Sequence, residues 1–435
     1  MSLFHIFALL IILAAVLGWV NARFIGLPHA IAMLIMPLAG SLVLILGDIY
    51  IPGFAFINHL EEAIRSIDFF ETLMTGMLSF LLFAGAQHVD LRKLRMHRTP
   101  IFLMASVGVV ISTVIIGCGL YYVAQMMGID LPLAWALVFG ALISPTDPVA
   151  VLSILKTTDI SKSLETKIAG ESLFNDGSGV IAFTVLLTVA LATTGGPVDP
   201  ESHIIDATGT VNALAVTWTF LWEVVGAVIV GVIGGFGTFL MLRSIDDETV
   251  ETLLSIALVL GTAIFCSLLH FSVPIAVVVA GLVIGNWGVK AMSEKTKAHL
   301  KPFWTMIDEI LNSVLFLLIG LEVLVIKFAT ANWGIMFAAI PIVLIARMIS
   351  VAIPVHGLRF TGTTFNTGSI RIMTWGGVRG GISVALALSM PDTGYKDLLL
   401  SITYIVVCFS IIAQGLTIKP MVDRLTKHIH PAPAH

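Results

Sequence analysis

Apolar stretches of about 20 residues, long enough to cross bilayer hydrocarbon, follow one another along nearly the whole chain. Thirteen are read, at 3–21, 27–47, 68–88, 100–127, 131–156, 162–193, 213–243, 250–269, 272–290, 303–325, 333–358, 366–390 and 396–425. The expected fold is an all-α polytopic membrane protein of about 13 transmembrane helices. Composition agrees, with 57% hydrophobic and only 11% charged residues, where a soluble domain carries about a quarter charged. One transmembrane unit is expected over 1–425 and a short tail over 426–435, since no stretch between spans is long enough for a soluble domain. Met1 to Val20 has neither a basic leader nor a small-residue cleavage site, and reads as a first span rather than a signal peptide. Cys118, Cys266 and Cys408 all fall inside spans, where they act as small apolar residues, so neither a disulfide framework nor a zinc site follows. The longest loops opposite the basic side, 47–67 and 195–212, are polar and acidic, and receive no function.

Lysine and arginine placement sets the orientation. With the N-terminus outside, 17 of the 23 fall in loops that face the cytoplasm, and only Arg65, Lys327 and Lys396 lie opposite. Arg347, Arg371 and Arg379 remain within or at the edge of spans. The reading is N-terminus outside and C-terminus cytoplasmic, and the small net charge of −4 identifies no partner.

Two spans resist a regular helix. The fifth holds Ser144-Pro145-Thr146-Asp147-Pro148, and each proline removes a main-chain donor and clashes with the preceding turn. The twelfth holds Trp375-Gly376-Gly377-Val378-Arg379-Gly380-Gly381, also a poor helix former. Broken backbone survives at depth only when buried in protein or lining a wet cavity. Paired breaks in corresponding positions mark a transporter's substrate site between inverted repeats. Spans five and twelve are seven apart, which makes spans 1–6 and 8–13 two inverted six-helix repeats joined by span seven.

Ionisable groups at membrane depth are expensive and mark function. They concentrate at Asp147 and in Gly170-Glu171-Ser172-Leu173-Phe174-Asn175-Asp176. Side chains four apart share a helix face, so Ser172 and Asp176 form one stripe and Glu171 and Asn175 the next. Two carboxylates, a hydroxyl and freed main-chain carbonyls make a hard oxygen site that suits an alkali cation rather than a soft metal. Asp176 reads as the carrier, against the plainer reading of a carboxylate paired with a base. Asp147 is either an ion ligand or an N-cap for the half-helix after Pro148. Ser172 is either a ligand or a hydroxyl bonded back into its own helix. Glu171 needs a partner, and Arg347, in the middle of span eleven, is the assigned one. Asp308 and Glu309 are placed near a cytoplasmic entrance. Glu223, Glu322, Arg379, His5 and His270 receive no role, and Gly231, Gly234 and Gly235 allow close helix approach.

The run Leu142-Ile143-Ser144-Pro145-Thr146-Asp147-Pro148-Val149-Ala150-Val151, followed by the Gly170–Asp176 motif, strongly resembles the NhaP-type sodium/proton antiporters. These belong to the cation–proton antiporter superfamily, in the branch that contains the animal sodium/proton exchangers. The Arg347 span and Trp375–Gly381 resemble further motifs of that family. The resemblance implies a 13-helix homodimer in which a core bundle (spans 4–6 and 11–13) moves against a dimerisation part (spans 1–3 and 7–10). It implies that Asp176 binds cation or proton in turn, and that Asp147, Ser172 and the Thr146 main chain help hold the ion. It further implies that Asn175 ties the broken helix to its neighbour and that Glu171 and Arg347 form a structural pair. An asparagine before the aspartate resembles the electroneutral branch. Where archaeal members often carry a glutamate, this chain has Ala84.

The expected function is therefore secondary antiport of protons against a monovalent cation, Na+ (or Li+) with K+ as the alternative, one proton per cation, at a prokaryotic inner (plasma) membrane. No cofactor and no nucleic-acid partner are expected, and the chain is not read as an enzyme. A cation channel would not need a carboxylate that blocks when empty. An intramembrane aspartyl protease would place two aspartates on neighbouring helices, as Asp147 and Asp176 are, but Leu-Phe-Asn precedes Asp176 where a Gly-x-Gly setting would be expected.

Overall fold

The computed structural model describes residues 3–50, 76–147, 160–195, 213–288, 294–324, 333–360 and 368–427, with positions 158, 292, 326 and 365. Among them every regular element is a helix. The elements are α1 (Leu3–Val20), α2 (His29–Tyr50), α3 (Leu78–Gln87), α4 (Leu91–Met96), α5 (Arg98–Ala105), α6 (Val107–Met126), α7 (Leu133–Ile143) and α8 (Lys162–Thr193). They continue as α9 (Ala213–Leu242), α10 (Glu248–Leu268), α11 (Val273–Val283), α12 (Glu294–Glu322), α13 (Trp333–Phe360), α14 (Ser369–Trp375), α15 (Gly381–Ser389), α16 (Lys396–Phe409) and α17 (Gly415–Lys427). Among the described residues nine helical segments are long and apolar enough to cross a membrane, and shorter apolar helices occupy Leu78–Gln87, Leu133–Ile143 and Val273–Gly288. The acidic loops, the first residues of span three, the second half of span five and the tail after Lys427 lie outside the described residues.

Both expected breaks are present. α7 stops at Ile143, and Ser144, Pro145, Thr146 and Asp147 run on without helical form. α14 stops at Trp375, and the chain resumes as α15 only at Gly381. Neighbouring elements satisfy the freed main chain, as burial requires. Span thirteen contains a π-turn over Ser410–Gln414 between α16 and α17. From that turn Ser410 Oγ accepts from the Arg379 amide at 2.8 Å, and Gln414 Nε2 donates to the Trp375 carbonyl at 3.0 Å. Such π-turns recur at functional sites.

α7 sits between α6 and α8, and α13 covers α6 and α16. The α6–α7 contact is close because Gly117 and Gly140 carry no side chain. A Cβ on Gly140 would strike the Thr113 carbonyl, and one on Gly117 would strike Leu137. A second group joins α9, α10 and α11, with α11 against α3 and α12 against α2. The two groups meet where α8 contacts α11 and α12 contacts α15. One apolar core, including Phe139, Leu142, Phe316, Val384 and Ile402, surrounds the broken segments. α12 starts at Glu294, nine residues before the expected apolar span at 303, because polarity sets membrane depth without ending a helix.

Candidate functional site

The two unwound segments touch. The Asp147 amide donates to the Val378 carbonyl at 2.8 Å. Arg379, 1% exposed, donates through Nη1 to the carbonyls of Ser144 and of Pro145, the latter at 3.0 Å. Those carbonyls end α7, where the helix dipole is negative, so a guanidinium there is favourable. On the other side, the Asp147 side chain lies where a Cβ on Gly380 would be, at the start of α15. A carboxylate at a helix N-terminus is the complementary arrangement. The end of α7 and the start of α15 thus each meet a charge of opposite sign drawn from the other break.

α8 delivers the remaining groups. Asn175 Nδ2 donates to Thr146 Oγ1 at 2.8 Å, and its Oδ1 accepts from the Thr146 amide at 3.4 Å. Thr146 Oγ1 and Ser172 Oγ lie 3.0 Å apart. Ser172 therefore bonds across to the unwound segment. Asn175, Ser172 and Thr146 form a buried polar layer that fixes the break against α8. One turn before Asn175, Glu171 is fully buried and receives both Arg347 Nη groups, Nη2 at 2.9 Å to Oε2. Arg347 also donates from Nε to the Met373 carbonyl at 3.3 Å. This pair joins α8, α13 and α14. Its Arg347 arm passes close to Gly377, where a Cβ would strike Nε.

Asp176 differs from its neighbours. It is 4% exposed, and its Oδ1 has no hydrogen-bond partner among the described residues. It lines a cleft of about 290 Å³ with Asp147, Pro145, Gly380 and Ser383, and with Asp308, Glu309 and Asn312 from α12. The Ser383 hydroxyl is likewise buried without a described partner. Asn312 Nδ2 donates to Asp308 Oδ1 at 3.0 Å, which holds that carboxylate in place. The cleft thus presents carboxylate and hydroxyl oxygens without an ammonium or guanidinium among its lining residues. That donor set suits a hard monovalent cation or a proton.

The sequence-read residues divide accordingly. Asp147 and Asp176 line the cleft, whereas Thr146, Ser172 and Asn175 stand behind it and Glu171 and Arg347 stand apart as a pair. Asp308 and Glu309 line the same cleft. Ser383, Asn312 and the carbonyl-capping role of Arg379 were not read from sequence. A polar residue two places after the Gly380-Gly381 break was the available signal for Ser383. Among the described residues no group of three or more His, Cys, Asp or Glu side chains could hold a metal ion.

The family described as "Sodium/hydrogen exchanger, transmembrane" matches residues 11–424. The chain is 45% identical over 424 residues to the Na(+)/H(+) antiporter NhaP of Pseudomonas aeruginosa, covering 96% of each. It is 34% identical over 407 residues to the Na(+)/H(+) antiporter NhaH of Halobacillus aidingensis, covering 93% of each. Among solved structures, the sodium proton antiporter MjNhaP1 of Methanocaldococcus jannaschii at pH 8 superposes with a TM-score of 0.72 at 17% identity. That match covers 98% of this chain and 99% of the other, and establishes the shared fold.

Proposed function

The chain belongs to the sodium/hydrogen exchanger family, and from that membership we propose that it is a secondary antiporter exchanging protons for Na+, with Asp176 as the shared carrier carboxylate. The observation that carries this reading is the Asp176 oxygen, buried in the lining of the cleft and free of any described protein partner. A carboxylate in that position needs either a proton or a cation, because an empty charged site pays full desolvation at depth. Only the occupied site crosses between facings, so movement is tied to exchange. Asp147 helps hold the ion, and Thr146 and Ser172 fix the unwound segment behind it. Asn175 keeps the break on α8, and the Glu171–Arg347 pair braces the bundle. One carrier carboxylate beside a neutral Asn175 gives one proton per cation and no net current. Transport proceeds by alternating access, the core bundle of spans 4–6 and 11–13 moving against spans 1–3 and 7–10 of a homodimer. The N-terminus lies outside and the C-terminus in the cytoplasm. Na+ is favoured over K+ because relatives matched over 96% and 93% of their length are named for Na+.

The test is proton flux reported by a pH dye in liposomes holding purified protein, challenged in turn with Na+, Li+ and K+. Sodium should collapse an imposed proton gradient, and Asp176→Asn should abolish the response. Flux that survives in Asp176→Asn removes the carrier assignment, and a K+ response without a Na+ response reverses the ion.

A further inference from the structure

At the end of α3 the chain turns through His88, Val89 and Asp90 into α4, a short helix between the third and fourth spans. Asp90 caps α4 by accepting from the Arg92 amide at 2.8 Å. Asn286, in the π-turn that ends α11, pins the same turn from the other side. Its Oδ1 accepts from the Leu91 amide at 2.8 Å, and its Nδ2 donates to the Val89 carbonyl at 3.0 Å. Gly285 lets the π-turn approach the main chain of Gln87, where a Cβ would not fit. Between the turn and the π-turn lies a second cleft of about 510 Å³, whose lining includes Gln87, His88, Arg92, Arg95, Asn286 and Trp287.

The chemistry of this cleft is that of an anion receptor. Arg92 and Arg95 are exposed and three apart, hence on one face of α4. Among the described residues neither forms an ion pair. Gln87 Nε2 is a buried donor with no described acceptor. The one acidic side chain in the lining, Asp90, is engaged at the α4 N-terminus. Two paired guanidinium forks and an idle amide match phosphate oxygens. The location selects the source of the phosphate. The cleft sits where two membrane-spanning segments end, Trp287 is 44% exposed beside it, and an amphipathic indole at such a depth marks the lipid headgroup layer. Basic clefts between spanning helices at that layer receive anionic headgroups.

We propose that this cleft binds a phosphate-bearing anion, met there as the headgroup of an anionic phospholipid. His88 and Val89 line both this cleft and the one that reaches Asp176, and His88 Nε2 lies 3.4 Å from Thr305 Oγ1 of α12. A headgroup on Arg92 and Arg95 therefore steadies the wall of the ion pathway.

Delipidated full-length protein is titrated with phosphatidylglycerol and, separately, with phosphatidylcholine, and retained lipid is counted by native mass spectrometry. This readout is independent of transport. Wild type should retain phosphatidylglycerol in preference, and Arg92→Gln/Arg95→Gln should weaken that retention about tenfold. Arg359→Gln, an exposed arginine outside the cleft, should not. Sodium-driven flux of wild type should rise in vesicles that contain phosphatidylglycerol, and the rise should be lost in the double variant. Equal retention by wild type and double variant, or equal loss in Arg359→Gln, overturns the site. Binding of inorganic phosphate with no preference for phosphatidylglycerol overturns the lipid assignment.

Discussion

The amide of Asp147 donates to the carbonyl of Val378 at 2.8 Å, so one main-chain rung joins the two broken helices where they cross. A rung needs the strands at contact distance, and Gly380 permits it: a Cβ there would meet the Cβ and carboxylate of Asp147. Gly380→Ala should therefore force the crossing apart at a cost of about 1–3 kcal/mol. Transport should fall about tenfold or more, while the protein still elutes as a folded species in size-exclusion chromatography. Unchanged flux would mean that the crossing tolerates separation and that the rung is incidental.

The Glu171–Arg347 pair makes a different kind of prediction. Both groups are buried, and Arg347 is additionally committed to the Met373 carbonyl. Removing one partner leaves a buried charge uncompensated, which costs about 3–5 kcal/mol, whereas removing both leaves none. Glu171→Ala and Arg347→Ala should each lower the melting temperature in detergent sharply. The double variant should be less destabilised than the sum of the two. Simple additivity would show that the side chains do not depend on each other.

Much of this arrangement is legible in the chain, and the reason is physical. A bilayer demands long apolar runs, so the spans announce themselves, and Pro145 and the Gly376–Gly381 run cannot continue a helix. Charges at depth need a reason, which singles out Asp176, Glu171 and Arg347. What sequence did not yield depends on tertiary juxtaposition. Arg379 is satisfied by the carbonyls of Ser144 and Pro145, and a main-chain partner leaves no mark in the residue pattern. The π-turn at Ser410–Gln414 supplies partners to span twelve. Its trace in the sequence is two polar side chains four apart in an apolar span, Ser410 and Gln414. Helical spacing grouped Ser172 with Asp176, yet only the structure separates the residue that lines the cleft from the one that braces it.

His97 predicts a pH dependence of stability. It joins α4 to α5, with Nε2 3.0 Å from Ser163 Oγ at the start of α8. Burial, and then the charge of Lys167, hold its imidazole below the ordinary histidine value of 6.5. The folded protein thus favours the neutral ring and binds fewer protons than the unfolded chain. The contribution is intact above the unfolded value and is lost as pH falls through it toward the lower folded value. Melting temperature should drop between about pH 8 and about pH 5, and His97→Gln should narrow the drop. Equal drops in the two proteins would remove His97 as the source.

Ser172 and Ser383 separate bracing from ligation. Ser172 Oγ lies 3.0 Å from Thr146 Oγ1 and is absent from the cleft lining, whereas Ser383 Oγ lines the cleft and has no described partner. Deleting a hydroxyl that already has a protein partner leaves that partner unsatisfied, at a cost of about 1–3 kcal/mol. Ser172→Ala should therefore appear chiefly as a lower melting temperature. Deleting a hydroxyl whose only use is a transported cation costs the folded apoprotein little. Ser383→Ala should keep its melting temperature and raise the half-saturating sodium concentration about threefold to tenfold, the equivalent of one neutral oxygen contact. The maximal rate should change less than the half-saturation, because Asp176, the proposed carrier, is intact. A stability loss in Ser383→Ala without a change in sodium dependence would place Ser383 with the bracing layer and leave the cleft's cation to Asp176, Asp147 and water.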